Sequence, residues 1–225
     1  MKEFLWCFDE GMPRVPSYGG VRLSFLLGDI AKLGEQYPAA LAALRERRDQ
    51  AAQRMLADPR GFEAAQEFAA LNRTLKEDQN TLAALDQLPA EDLRRLPLTS
   101  ATDPRRQPLT TAAYDQLILA QRYGDALAGK SYGLMIAQFE VLAVERPIPA
   151  NIPNPEMIRK TMRDLLISST AKNIEVLAGA GDLDDARGLA RRVLTLDPSP
   201  ETRALLQKHA VRAGQPDLLN GVPNP

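Results

Sequence analysis

From Val21 to Gly214 apolar residues recur at intervals of three and four, and no segment alternates apolar with polar over the length of a strand. That periodicity is the signature of helices that each present one stripe to a core. Val21–Leu33 carries its stripe at Leu23, Leu26, Leu27, Ile30 and Leu33, with Gly34 after it as a terminator. Pro38 opens a second helix to about Ala57, striped by Leu41, Leu44, Arg48, Ala51, Ala52 and Met55 and stopped by Asp58-Pro59. A third is expected from Gly61 to Lys76. A polar turn, Glu77 to Asn80, leads to a fourth from Thr81 to Leu88, with one further turn in 90–96. Thr110 or Thr111 caps a helix whose pattern continues to about Val144. Asn154-Pro155-Glu156 supplies cap, first-turn proline and acid for a long helix to Ala180. Asp182 and Ser199 then cap helices to Leu196 and Ala213.

The chain is therefore expected to be all-α, built of antiparallel helical hairpins. It divides into an extended aromatic N-terminal arm over 1–20, a helical subdomain over 21–96, a linker loop over 97–109, a second helical subdomain over 110–219 and a frayed tail over 220–225. The arm is predicted extended because Pro13 and Pro16 each remove a backbone donor. Its aromatics would form an exposed patch unless covered, so Trp6 is expected to pack near Leu23 and Leu27. Only 5% of residues are aromatic. A core of Ala, Leu and short aliphatics forces the helices close together.

Charge and composition exclude several functions. Lys plus Arg number 28 against 29 Asp plus Glu, a net charge of −1. A nucleic-acid binder draws on a basic excess that is missing here. Arg45, Arg47 and Arg48 alternate with Glu46 and Asp49 and read as a solvated helix face. One cysteine (Cys7) and one histidine (His209) cannot form an intrachain disulfide, a usual structural zinc site or a conventional triad. No catalytic motif stands out, no cofactor or metal is implied, and the reading is non-enzymatic. No apolar run is long enough to span a bilayer. A soluble cytoplasmic protein is expected, or a periplasmic or secreted one if a signal peptide has been removed.

Asn173 to Pro198 carries a helix ending near Leu177, a Gly181-Asp182 turn, small residues at Ala186 and Ala190, then Val193 and a closing Pro198. The Ala180-Gly181 turn recurs as Ala213-Gly214, 33 residues on. This stretch resembles a tetratricopeptide repeat, specifically over about 173–214 and more loosely over 62–89. The family's Trp-x-x-Leu-Gly opening is absent. The resemblance implies a right-handed superhelix, with an irregular α-α bundle as the alternative, and a scaffold that binds another polypeptide. Ser168, Ser169, Lys172 and Asn173, with Asn72 and Arg73 upstream, are the candidate peptide-binding residues.

Gly124-Asp125-Ala126-Leu127-Ala128-Gly129-Lys130-Ser131 matches the phosphate-loop pattern G-x-x-x-x-G-K-S/T. The alternative function is thus a nucleotide-binding protein using Gly124, Gly129, Lys130 and Ser131. Its context is wrong, since no buried parallel strand precedes it. Small residues four apart (Ala120, Gly124, Ala128; Gly129, Gly133, Ala137) fit closely packed helices instead, so a bulky side chain at Gly133 is expected to overpack. A third alternative is a purely structural domain of a larger chain.

Overall fold

A computed structural model describes residues 1–88, 104–144 and 153–222. The expected helical turn at 90–96, most of the linker, and 223–225 of the tail lie outside these residues. All described elements are helical or turn, and no strand occurs among them. The chain separates into two compact units, Met1–Gln116 and Leu117–Pro225.

In the first unit the arm is not extended. Helix α1 spans Lys2–Trp6 and runs into a π-helical turn, Cys7–Gly11. The prolines end helical structure only from Pro13 onward, and nothing before them breaks a helix. Phe8, not Trp6, is the buried aromatic. Trp6 is 57% exposed and lies across Gly11, where a Cβ would sit 2.9 Å from the ring. Helical structure resumes at Pro16 with a 3₁₀ turn to Tyr18, α2 (Gly19–Val21), a π turn (Arg22–Leu26) and α3 (Leu27–Gly34). Gly19-Gly20 begins a helix here and makes no reversal. Leu26, Leu27 and Ile30 of the expected stripe are buried.

Helix α4 (Ala39–Ala57) packs on α5 (Phe62–Leu75), whose Ala65 and Phe68 to Leu71 are all buried. Gly34 is small of necessity, because a Cβ there would lie 2.5 Å from Leu41 Cγ. Lys76, in the left-handed region at φ 60°, closes α5, and α6 follows directly (Asp78–Gln87). The turn is therefore two residues long, not four. The arginines of α4 cross to other elements: Arg45 and Arg48 to Glu77, and Arg47 to Asp9 by two hydrogen bonds.

At the centre of this unit Arg22 is buried. Its Nε donates to the Phe8 carbonyl (2.8 Å) and an Nη to Glu67 (2.5 Å), while the guanidinium lies 4.1 Å over the Phe8 ring. Arg54 donates to the other Glu67 oxygen (2.6 Å).

The helix expected over 110–144 is four helices: α7 (Gln107–Ala112), α8 (Tyr114–Leu119), α9 (Tyr123–Ala128) and α10 (Tyr132–Ala143). The division into units falls inside α8. Gln121 takes φ 55° and ends α8, with Arg122 N bonded to Leu117 O. Ser131 Oγ accepts from Leu134 N and caps α10. The apolar spacing continues through these breaks, so periodicity alone conceals them. Residues 107–109, assigned to the linker, begin α7.

The second unit centres on α11 (Pro155–Ala180), with α9, α12 (Leu183–Leu196) and α13 (Pro200–Arg212) packed on it. The bounds expected for these three long helices hold to within a residue. Gly181 at φ 95° makes the turn, with Asp182 N bonded to Leu177 O. Ser199 caps α13 as predicted, whereas the Asn154 and Asp182 side chains make no cap bond. Residues 220–222 are not frayed. Val222 is buried, and its carbonyl and that of Leu219 accept from Arg203.

The close approach expected of small residues is real but sits elsewhere. A Cβ on Gly179 would lie 2.1 Å from the Tyr123 ring, whereas at Gly124 and Gly133 it would meet nothing. Gly179→Ala should destabilise the second unit by roughly 1–3 kcal/mol or more, because overpacking outweighs the ~1 kcal/mol helix gain of Gly→Ala. Gly133→Ala should be neutral or stabilising by up to ~1 kcal/mol. Urea unfolding curves of the two variants test both, and equal midpoints would contradict the packing. Glu67→Ala, which strands Arg22 in the core, should cost roughly 3–5 kcal/mol in the same assay.

Candidate functional site

A groove in the first unit is lined by Leu23, Ser24, Phe25, Gly28 and Asp29 on one side and by Ala70, Arg73 and Thr74 of α5 on the other, with a volume near 450 Å³. That falls in the range of ligand-binding clefts. Its first wall is the π turn and the start of α3. A π turn shifts the register of the side chains that follow it, and such turns recur at functional sites. Here Leu26, Leu27 and Ile30 point into the core, while Phe25 is 76% exposed at the groove's edge. The floor is small. A Cβ on Gly28 would meet nothing, and the Ser24 hydroxyl donates back to Gly20 O (2.6 Å). The one arginine in the lining, Arg73, makes only long contacts, to Ala112 O (3.4 Å) and Gln116 Oε1 (3.5 Å).

Arg73 is the single predicted site residue in this groove. Its neighbour Asn72 is fully buried, with Nδ2 donating to Thr81 Oγ1 (3.0 Å), and faces no surface. Ser168 and Ser169 are exposed on α11, where Ser169 Oγ bonds Leu166 O (3.0 Å). Lys172 is half-buried. Asn173 is buried and accepts from Lys130 Nζ (3.2 Å). The four α11 residues and the Asn72–Arg73 pair thus belong to different units.

Gly124, Gly129, Lys130 and Ser131 do not form a phosphate cradle. Gly124 lies in the first turn of α9 and Gly129 ends that helix at φ −89°. The N–H groups of Ala126 and Lys130 are bonded to Arg122 O and Leu127 O. The Lys130 amine is held by Asn173 and the Ser131 hydroxyl by its capping bond. Burial lowers the Lys130 pKa below the usual lysine value.

The sequence reading missed the buried acid of α11. Glu175 is completely buried, with His209 Nδ1 at 2.5 Å, Arg212 Nε at 3.3 Å and the Tyr123 hydroxyl donating from 3.2 Å. The same hydroxyl reaches Arg212 O (3.1 Å). The cluster ties α9, α11 and α13 together, with Arg212 at its exposed margin. It also missed Phe25, although a signal was present: residue 25 falls off the stripe of 23, 26, 27, 30 and 33, and an apolar residue off the stripe faces outward. Among the described residues no group of three or more His, Cys, Asp or Glu could hold a metal ion, and no helix is long and apolar enough to cross a membrane.

Set beside known proteins, the chain matches no family model, and neither a curated protein nor a solved structure matches it.

Tyr123 gives the second unit a pH dependence. Burial, and then the Glu175 carboxylate, push the phenol above its ordinary pKa, against a smaller opposing effect of Arg212. The folded state therefore keeps a proton that the unfolded chain releases near pH 10. Its contribution is intact below about pH 10 and is lost as pH rises through the folded value. Lys130, shifted down, runs the other way. Comparing wild type with Tyr123→Phe isolates the phenol: the variant should lose less stability between pH 9 and pH 11 in thermal melts, and parallel profiles would contradict the assignment.

Proposed function

We propose that this protein is a non-enzymatic helical scaffold that binds another polypeptide, with its binding surface at the Phe25–Arg73 groove and a tetratricopeptide-like arrangement in α11–α13. The observation that carries the reading is the groove itself: an exposed aromatic, small residues along both walls and an arginine without an ion pair among the described residues, at a π turn. Peptide-binding helical proteins recognise partners through such troughs between helices. The repeat-like reading of the second unit is supported by its helix–turn–helix spacing and by the glycine turns at Gly181 and Gly214, both at positive φ.

A selection of random displayed peptides against the whole protein tests the function. A recurring sequence should emerge whose binding is lost in Phe25→Asp. That substitution, at an exposed site, should leave unfolding within about 0.5 kcal/mol of wild type. Binding that persists undiminished in Phe25→Asp would move the site away from the groove. Absence of any enriched sequence would remove the reading.

A further inference from the structure

We infer that the occupant of the groove is a helical peptide that sets an apolar side chain beside Phe25 and a carboxylate against Arg73; this rests on the peptide-binding reading above. The helical conformation follows from what the walls offer. Both are helices whose backbone groups are bonded internally, and there is no sheet edge among the described residues. An extended peptide would find no backbone partners, as it does when it adds a strand to a sheet, whereas a helix brings its own backbone already satisfied. Ser24 and Gly28 stand one turn apart on one wall, and Ala70 and Thr74 one turn apart on the other. These small side chains at matching spacing leave a trough into which a third helix can settle closely.

The charge requirement follows from Arg73. It makes no ion pair among the described residues, and its two contacts, at 3.4 and 3.5 Å, are to neutral oxygens at the limit of hydrogen bonding. A planar guanidinium so placed accepts a carboxylate in the bidentate, charge-assisted geometry that a lysine could not match. Asp29, across the trough on α3, repels an acid placed on its own side. The two charges therefore fix which way round the peptide lies: acid toward α5, and a neutral or basic residue toward α3. Specificity of this kind comes as much from the repulsive wall as from the attractive one.

The experiment uses the best peptide from the selection against the whole protein, and a twin in which its acid is replaced by lysine. The selected sequences should carry Asp or Glu one helical turn from a Leu, Met, Phe or Trp. The lysine twin should bind about tenfold more weakly to wild type, within what one charge-assisted pair supplies. Arg73→Glu should reverse the order of the two peptides, and raising salt should narrow the gap. Circular dichroism should show the peptide gaining helix on binding. If peptide and twin bind wild type equally while Phe25→Asp still abolishes both, the groove binds peptides but the carboxylate inference is wrong. A bound peptide that gains no helix overturns the helical part. Should the two peptides keep their order in a folded Arg73→Glu variant, the acid is read by another residue and the inference also falls.

Discussion

A carboxylate taken out of water must find donors or it unfolds what buried it, and each unit of this protein is organised by that requirement. Burying an ionised side chain alone costs several kcal/mol, and partners must be positioned to offset it. In the first unit Glu67 sits on α5 and draws donors from two other places in the chain, Arg22 on the π turn and Arg54 on α4. Arg22 then extends the arrangement by donating to the Phe8 carbonyl and covering the Phe8 ring. A single acid thus ties together α4, α5 and the Arg22–Leu26 and Cys7–Gly11 turns. In the second unit Glu175 does the same for α9 and α13 through Tyr123, His209 and Arg212. Apolar packing would tolerate several registers between such Ala- and Leu-rich helices; a buried acid with directed donors tolerates few.

The groove follows from this arrangement. Arg22 must point inward to meet Glu67, and it lies in the same π turn as Phe25. Residues 22, 26 and 27 share the core-facing side of this segment, and residue 25 falls off it. The exposed aromatic and the buried arginine therefore lie on opposite sides of one short turn.

Helix type was legible in the sequence, since the three-four spacing, the prolines and the Gly181 and Gly214 turns are local signals. Breaks made without proline were not. Gln121 adopts a left-handed conformation that its side chain does not advertise, and α8, α9 and α10 therefore looked like one helix. The aromatic arm is helical over residues 2–11 because Pro13 and Pro16 restrict only the residues around them. Of the candidate residues, Arg73 lines the groove while its neighbour Asn72 is buried, because adjacent residues on a helix point about 100° apart. Glu67 and Glu175 were invisible as buried groups. Their donors come from 45 and 13 residues away in one case and from 52, 34 and 37 in the other, and single-sequence spacing carries no such information.

The two kinds of ionic contact in the first unit differ in what dissolved salt can do to them. Arg47, itself mostly covered, meets the half-exposed Asp9, while Arg22 meets Glu67 in the interior. Mobile ions reach the Asp9 side of the first pair and screen it in part; they hardly reach the second. Residues 1–11 are held to α4 by the first pair and to the core by Phe8. Their detachment is therefore the step that ionic strength governs, well before it affects unfolding of the rest. Opening of this segment has its own free energy, smaller than that of the whole unit. In concentrated salt its amide hydrogens would exchange with solvent early while those of α5 stay protected, giving the unit two thresholds where a purely apolar core would have one.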